Sequence, residues 1–147
     1  MPSKILPSGK ELSYDEEVDP TPITGVAQWL EALRSGDRRQ SSGSLRNPFG
    51  FCCLGVKRDL EGARWRFIPG GCGVRAEYVD MHESGKCATT NYIGSCGLSL
   101  NGDLPITVTI TNSAGPQCYI CLADINDAGI CFEDIAVIIE TFFKEKE

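Results

Sequence analysis

Residues 29–60 read WLEALRSGDRRQSSGSLRNPFGFCCLGVKRDL, and the fold turns on how this stretch is divided. Val26, Trp29, Leu30 and Leu33 recur at the spacing of one helical face, so a helix is expected there, with Thr24 as its N-cap. Ser35-Gly36 supplies the stop, because glycine takes the left-handed geometry after a helix end at little cost. Arg38 to Arg46 is short, polar and split by Ser42-Gly43, which predicts a tight hairpin. Asn47-Pro48 turns the chain into Phe49–Val56, a run apolar on both sides. Periodicity alone does not separate a buried strand from the first turns of a helix in so short a run. A helix is favoured because Arg58-Asp59-Leu60 continues it with Cys53, Val56 and Leu60 on one side.

Before this unit, residues 1–22 carry five prolines or glycines and the acidic run Asp15-Glu16-Glu17 without a sustained period. They read as a flexible or surface-packed N-terminal arm, with Leu12, Tyr14 and Val18 able to lie on a neighbour. Residues 23–147 read as a single α+β domain. Arg64-Trp65-Arg66-Phe67-Ile68 alternates charged and apolar residues, as a half-buried strand does. Val74 to Met81 is a further strand candidate, and Lys86 to Ser99 is rich in Gly, Ser and Thr. Leu104 to Thr111, LPITVTIT, is β-branched throughout and is the clearest strand.

At the end of the chain, Gln117 to Ile125 reads as a short apolar helix, broken at Asn126-Asp127-Ala128-Gly129. A second helix follows over Phe132 to Phe143, with Glu133 and Asp134 in its first turn and Lys144 near its end, as the helix dipole favours. The expected architecture is therefore an N-terminal helix, a small antiparallel sheet, and a C-terminal helix pair packed on it.

At 147 residues the chain can bury a core without metal or disulfide staples. Its net charge of −6 argues against a general DNA or RNA binder, though not against a local basic pocket for one small anion. No apolar run approaches the roughly 20 residues that span a bilayer. Pro2 and Pro7 interrupt any signal-peptide core, so a cytoplasmic protein without membrane association is expected. In that compartment the eight cysteines read first as small buried hydrophobes.

Chemistry-bearing residues are sparse. His82 is the only histidine and has no triad context, so no catalytic residue is assigned and a non-enzymatic protein is expected. Cys118-x-x-Cys121 has the spacing of half a zinc site, which leaves a zinc-stabilised domain as a weak alternative. Asp124, Asn126, Asp127 and Gly129 lack the remaining ligands of a calcium loop and read as a turn. Gly70-Gly71-Cys72-Gly73 and Gly94-Ser95-Cys96-Gly97 match no phosphate-binding loop. No cofactor is implied.

One cluster stands above this background. Arg34, Arg38, Arg39 and Arg46 fall within thirteen residues, joined by Gln40 and serines. Guanidinium forks suit phosphate oxygens, and Trp29 could offer a flat face to a base. The competing reading is a solvated hairpin whose arginines pair with Asp15 to Glu17. The candidate ligand-binding set is thus Arg34, Arg38, Arg39, Gln40, Arg46 and Trp29, for a small anionic nucleotide-like ligand. A homo-oligomer is expected, because Phe142-Phe143 would leave apolar surface near the chain end.

Trp29-Leu-Glu-Ala-Leu-Arg-Ser-Gly, Gln40, Leu45, and Phe51-Cys-Cys-Leu-Gly-Val with Asp59 resemble a family of small phage and prophage proteins. So does Leu122-Ala123-x-x-Asn126-Asp127-x-Gly129-x-x-Phe132-x-x-Ile135-Ala136-x-x-Ile139, with Cys131 where that pattern has serine. The resemblance implies a small phage-type accessory protein in the cytoplasm of an infected or lysogenic bacterial host. By analogy with its class, such a protein counters host defence, by sequestering a nucleotide signal or by binding and inhibiting a defence protein.

Overall fold

The computed structural model describes residues 2–73, 75–80 and 101–146. His82, the Lys86–Ser99 stretch, Gly94–Gly97, Cys87 and Cys96 lie outside the described residues. The chain opens with β1 (Ser3–Ile5), β2 (Glu11–Tyr14) and β3 (Thr21–Ile23), then α1 (Val26–Ser35). A short hairpin, β4 (Arg46–Asn47) and β5 (Gly50–Phe51), leads into α2 (Cys53–Leu60). β6 (Trp65–Ile68), β7 (Glu77–Asp80), β8 (Asp103–Asn112) and β9 (Gly115–Cys121) follow. The chain closes with α3 (Leu122–Asp127), α4 (Phe132–Phe142) and β10 (Phe143–Glu145). The fold is α+β.

The main sheet has the order β1-β2-β8-β9, antiparallel throughout. β8 is its spine. Leu104, Val108 and Ile110 are buried while Pro105 and Thr107 are exposed, the alternation of a strand with one face on the core. The register shifts between Asp103 and Val108, around Pro105, which has no N–H to give the ladder. Leu12 and Tyr14 on β2 complete the buried face, and Tyr14 meets Phe142 of α4 edge-on with centroids 5.0 Å apart. On α4, Ile135, Ile138, Ile139 and Phe142 are fully buried. Each such side chain contributes roughly 1.5–3 kcal/mol relative to exposure, which makes α4 against the sheet the centre of the core.

Three expectations are corrected. The N-terminal segment is part of the main sheet: β2 pairs with β8, and Leu6 and Leu12 are buried. Its turn is tied down where Asp134 of α4 accepts the Ser8 backbone N–H at 2.9 Å and also the Ser8 hydroxyl. Gln117–Cys121 is a strand, because Ser113-Ala114 and a Gly115 at φ +111° fold it straight back onto β8. Tyr119 and Ile120 then satisfy strand preference as well as helical. Arg38–Arg46 does not close on itself. Residues 39–41 run parallel beside β5, with Phe51 N–H donating to Arg39 C=O at 2.8 Å and Ser41 N–H to Phe51 C=O at 2.7 Å. The hairpin lies one step later, at Asn47–Gly50.

The N-cap of α1 also differs. Gly25, not Thr24, occupies that position, and no local side chain caps the helix. The cap arrives from the other end of the chain: β10 runs parallel to β3, and Glu145 accepts the N–H of Gly25 at 2.6 Å and of Ala27 at 3.1 Å. A carboxylate there also suits the positive end of the helix dipole. Lys144, expected near the end of α4, sits in β10 instead.

A second antiparallel sheet, β5-β4-β7-β6, stands apart from the first. The chain entering β4 is held against α2 by a close approach at Leu45. A Cβ on Gly55 would sit 1.8 Å from the Leu45 carbonyl oxygen, so the Cys-Cys-Leu-Gly turn into α2 accepts no side chain at that position.

Candidate functional site

The six residues expected to bind ligand separate into three groups. Trp29 and Gln40 are structural. Trp29 is fully buried and its indole N–H donates to the Cys53 carbonyl at 2.9 Å. Gln40 uses its whole amide: Nε2 donates to Asn126 Oδ1 (3.0 Å) and Ile130 C=O (2.7 Å), and Oε1 accepts the Phe132 N–H (3.1 Å). Neither has a polar atom left for a ligand.

Arg34 belongs elsewhere. Its guanidinium pairs with Glu140 at 3.0 Å, joining α1 to α4. Arg39 is exposed and makes no ion pair among the described residues. None of the four arginines pairs with Asp15 to Glu17.

Arg38 and Arg46 come together on one face of the second sheet. The register places Phe51, Arg46, Tyr78 and Phe67 opposite one another on four adjacent strands, so their side chains share a face. Trp65 and Asp80 form the next row on that face. The guanidinium of Arg46 lies 4.3 Å from the Tyr78 ring centroid, 4.8 Å from Phe51 and 5.8 Å from Trp65. Phe67 continues the row, 5.1 Å from Tyr78. Arg38 stands 6.0 Å from Phe51 and is held by Asp59, which takes its Nε and terminal nitrogen at 2.9 Å each. The other oxygen of Asp59 accepts the Trp65 indole N–H at 2.9 Å.

The electrostatics of the two arginines differ. Arg38 is neutralised by its carboxylate. Arg46 is half-buried and makes no ion pair or side-chain hydrogen bond among the described residues. Its planar fork is oriented by three rings, and its N–H donors remain for an incoming acceptor.

Sequence reasoning missed Trp65, Phe67, Tyr78 and the positioning carboxylate Asp59. The alternation Arg64-Trp65-Arg66-Phe67 was the available signal, since it puts both aromatics on one strand face. Their meeting with Arg46 depends on strand order, which local pattern does not encode.

Among the described residues, Cys118 and Cys121 do not come together as a ligand pair. Cys118 is exposed and Cys121 buried, three residues apart on β9 and so on opposite faces. Among the described residues, no group of three or more His, Cys, Asp or Glu is placed to hold a metal. Burial pushes the Cys52 thiol up to about 11 and Cys53 well above its usual value. Both are therefore uncharged packing groups, and Cys52 Sγ accepts the Gly55 N–H at the start of α2. Asn126 and Asp127 serve the fold: Asn126 is buried and fully bonded, and Asp127 accepts the Gly43 N–H at 3.1 Å.

A family profile described as Domain of unknown function (DUF8296) matches residues 25–67. That span runs from the N-cap of α1 through the hairpin and α2 to Phe67 on β6. No curated protein and no solved structure matches the chain.

Proposed function

We propose that this chain is a non-catalytic binding module that holds an anionic, nucleotide-like ligand on the aromatic–arginine face of the second sheet. The observation that carries this reading is Arg46, stacked on Phe51, Trp65 and Tyr78 with no carboxylate partner among the described residues. Its fork would take phosphate oxygens while an exposed ring such as Phe67 takes a base. Exposed Arg39 would add charge, whereas Arg38 is already paired with Asp59 and would help mainly by fixing the Phe51 side of the face. In the biological setting suggested by the sequence resemblance, this is a cytoplasmic phage-type accessory protein that withdraws a nucleotide signal from a host defence system. Phe142 and Phe143 are buried, so they give no apolar surface for an oligomer.

Thermal melts and native mass spectrometry across a nucleotide panel test it. A ligand at a hundred times its Kd adds roughly 2.7 kcal/mol of stability. The Arg46→Lys variant keeps the charge but loses the planar fork and the stack, and it should lose that stabilisation. No melting shift from any nucleotide overturns the reading.

One observation favours a second reading, in which the protein blocks a host protein. Asp15, Glu16, Glu17 and Asp19 are exposed and make no ion pair among the described residues. Neutralising Asp15, Glu16 and Glu17 to Ser should then abolish capture of a host partner while leaving nucleotide binding intact.

A further inference from the structure

The charge of −6 hides a strong segregation. All eight arginines lie between residues 34 and 75. Residues 34–80 hold nine of the 14 Lys and Arg but five of the 20 Asp and Glu, a local charge of +4, while the rest of the chain carries −10. A whole-chain charge argues against polyanion binding only if the charge is evenly spread, and here it is not.

The same segment exposes phenylalanine. Phe49, at the tip of the β4–β5 hairpin, is 75% exposed, and Phe67, at the end of the aromatic row, is 46% exposed. A merely solvated arginine surface gives no reason for open aromatic rings beside it. The row itself crosses four strands, about 14 Å at the usual strand spacing, which is longer than one base. Arginines combined with aromatic faces on an antiparallel sheet make a platform on which successive bases of an unpaired strand stack, because every base has a π-face.

We propose that this face binds single-stranded nucleic acid, with two or three successive bases stacked along Phe67, Tyr78 and the Arg46–Phe51 pair. Exposed Arg39 and Arg75, neither in an ion pair among the described residues, supply positive charge to the phosphates, while Arg64 and Arg66 alternate with Trp65 and Phe67 and so face the other side of the sheet. The inference rests on the reading that the Arg46 face accepts a nucleotide-like anion, and it names the class of that anion. Selectivity for sequence is not expected, since stacking and guanidinium–phosphate contacts are indifferent to base edges.

The test is fluorescence anisotropy on the intact chain with labelled oligo-dT and oligo-U of about 4 and about 12 nucleotides, spanning common site sizes. Thymidine and uridine monophosphate serve as competitors. The 12-mer should bind at least about 100-fold more tightly than a mononucleotide, with log K falling against log salt by about 0.7 per phosphate contacted. Phe67→Ala, at an exposed position, should weaken binding about tenfold, and Arg34→Ala, on the α1–α4 side, should not. Tighter binding of oligo-U than oligo-dT would assign RNA, and the reverse DNA. Oligonucleotides binding no better than monophosphates would overturn the single-strand proposal and leave the anion site standing. Duplex binding as tight as single strand, unaffected by Phe67→Ala, would also overturn it. No binding of either length or of the monophosphates would remove both readings.

Discussion

Gln40 and Asn126, 86 residues apart, hold each other by a 3.0 Å amide–amide hydrogen bond that joins the loop after α1 to α3. Asn126 is 1% exposed and uses every polar atom: Oδ1 also accepts the Cys53 N–H at 3.1 Å, and Nδ2 donates to the Ser41 carbonyl at 2.7 Å. One buried side chain thus fixes Gln40, Ser41 and the first residue of α2 together. The two ends of the resemblance motif, far apart in sequence, are one structural unit.

Replacing Asn126 by Ala leaves the buried Cys53 N–H without an acceptor, and a stability loss of about 3 kcal/mol is expected. Urea titration should show a lower midpoint with an unchanged slope. A double-mutant cycle with Gln40→Ala should give a coupling of about 1 kcal/mol or more. Strict additivity of the two losses would refute the network.

Removing residues 1–22 takes away β1, β2 and most of β3, stripping β8 of one of its two partners and opening the core at Val108 and Ile110. The truncated chain should therefore lose cooperative unfolding, as seen by circular dichroism. Asp134→Ala, which cuts only the tie to Ser8, should keep a cooperative transition and cost about 2 kcal/mol. A truncated chain that melts like the intact one would contradict the strand pairing.

Glu145 gives a pH signature. Its carboxyl is held below the usual 4.5, chiefly by the Ala27 N–H and next by that of Gly25. A carboxyl depressed in the folded state stabilises fully above its unfolded value and loses that contribution as pH falls through the folded value. The stability difference between the intact protein and Glu145→Ala should thus be constant above about pH 6 and shrink below the ordinary carboxylate range. A difference independent of pH would show that Glu145 does not cap α1.

Thiol reactivity separates the cysteines by environment. Raised to about 11, the Cys52 thiol is ionised in only about one molecule per thousand at pH 8, and it is also buried. Iodoacetamide followed by peptide mass mapping should label Cys72 and Cys118, which are exposed, and spare Cys52 and Cys53 until denaturant is added. Equal labelling of Cys52 and Cys118 in the native protein would place the Cys52-Cys53 pair outside the core.

The sequence alone determined whatever depends on local periodicity and turn chemistry. The apolar spacing of α1 and α4, the β-branched run of β8 and the stop at Gly36 are properties of neighbouring residues, and they imply an α+β chain. The short apolar run Phe49–Val56, by contrast, fits strand and helix alike, and the structure divides it between β5 and α2. Only the tertiary structure decided the roles of single side chains. Trp29 and Gln40 look like ligand groups until the core closes on one and Asn126 on the other. Arg46 becomes distinctive only because strand order sets Phe51, Trp65 and Tyr78 around it. The helix cap from Glu145 and the strand pairing of residues 3–14 are likewise long-range. Hydrogen-bond partners and ring stacks depend on distances in space between residues far apart in sequence, which no local pattern records.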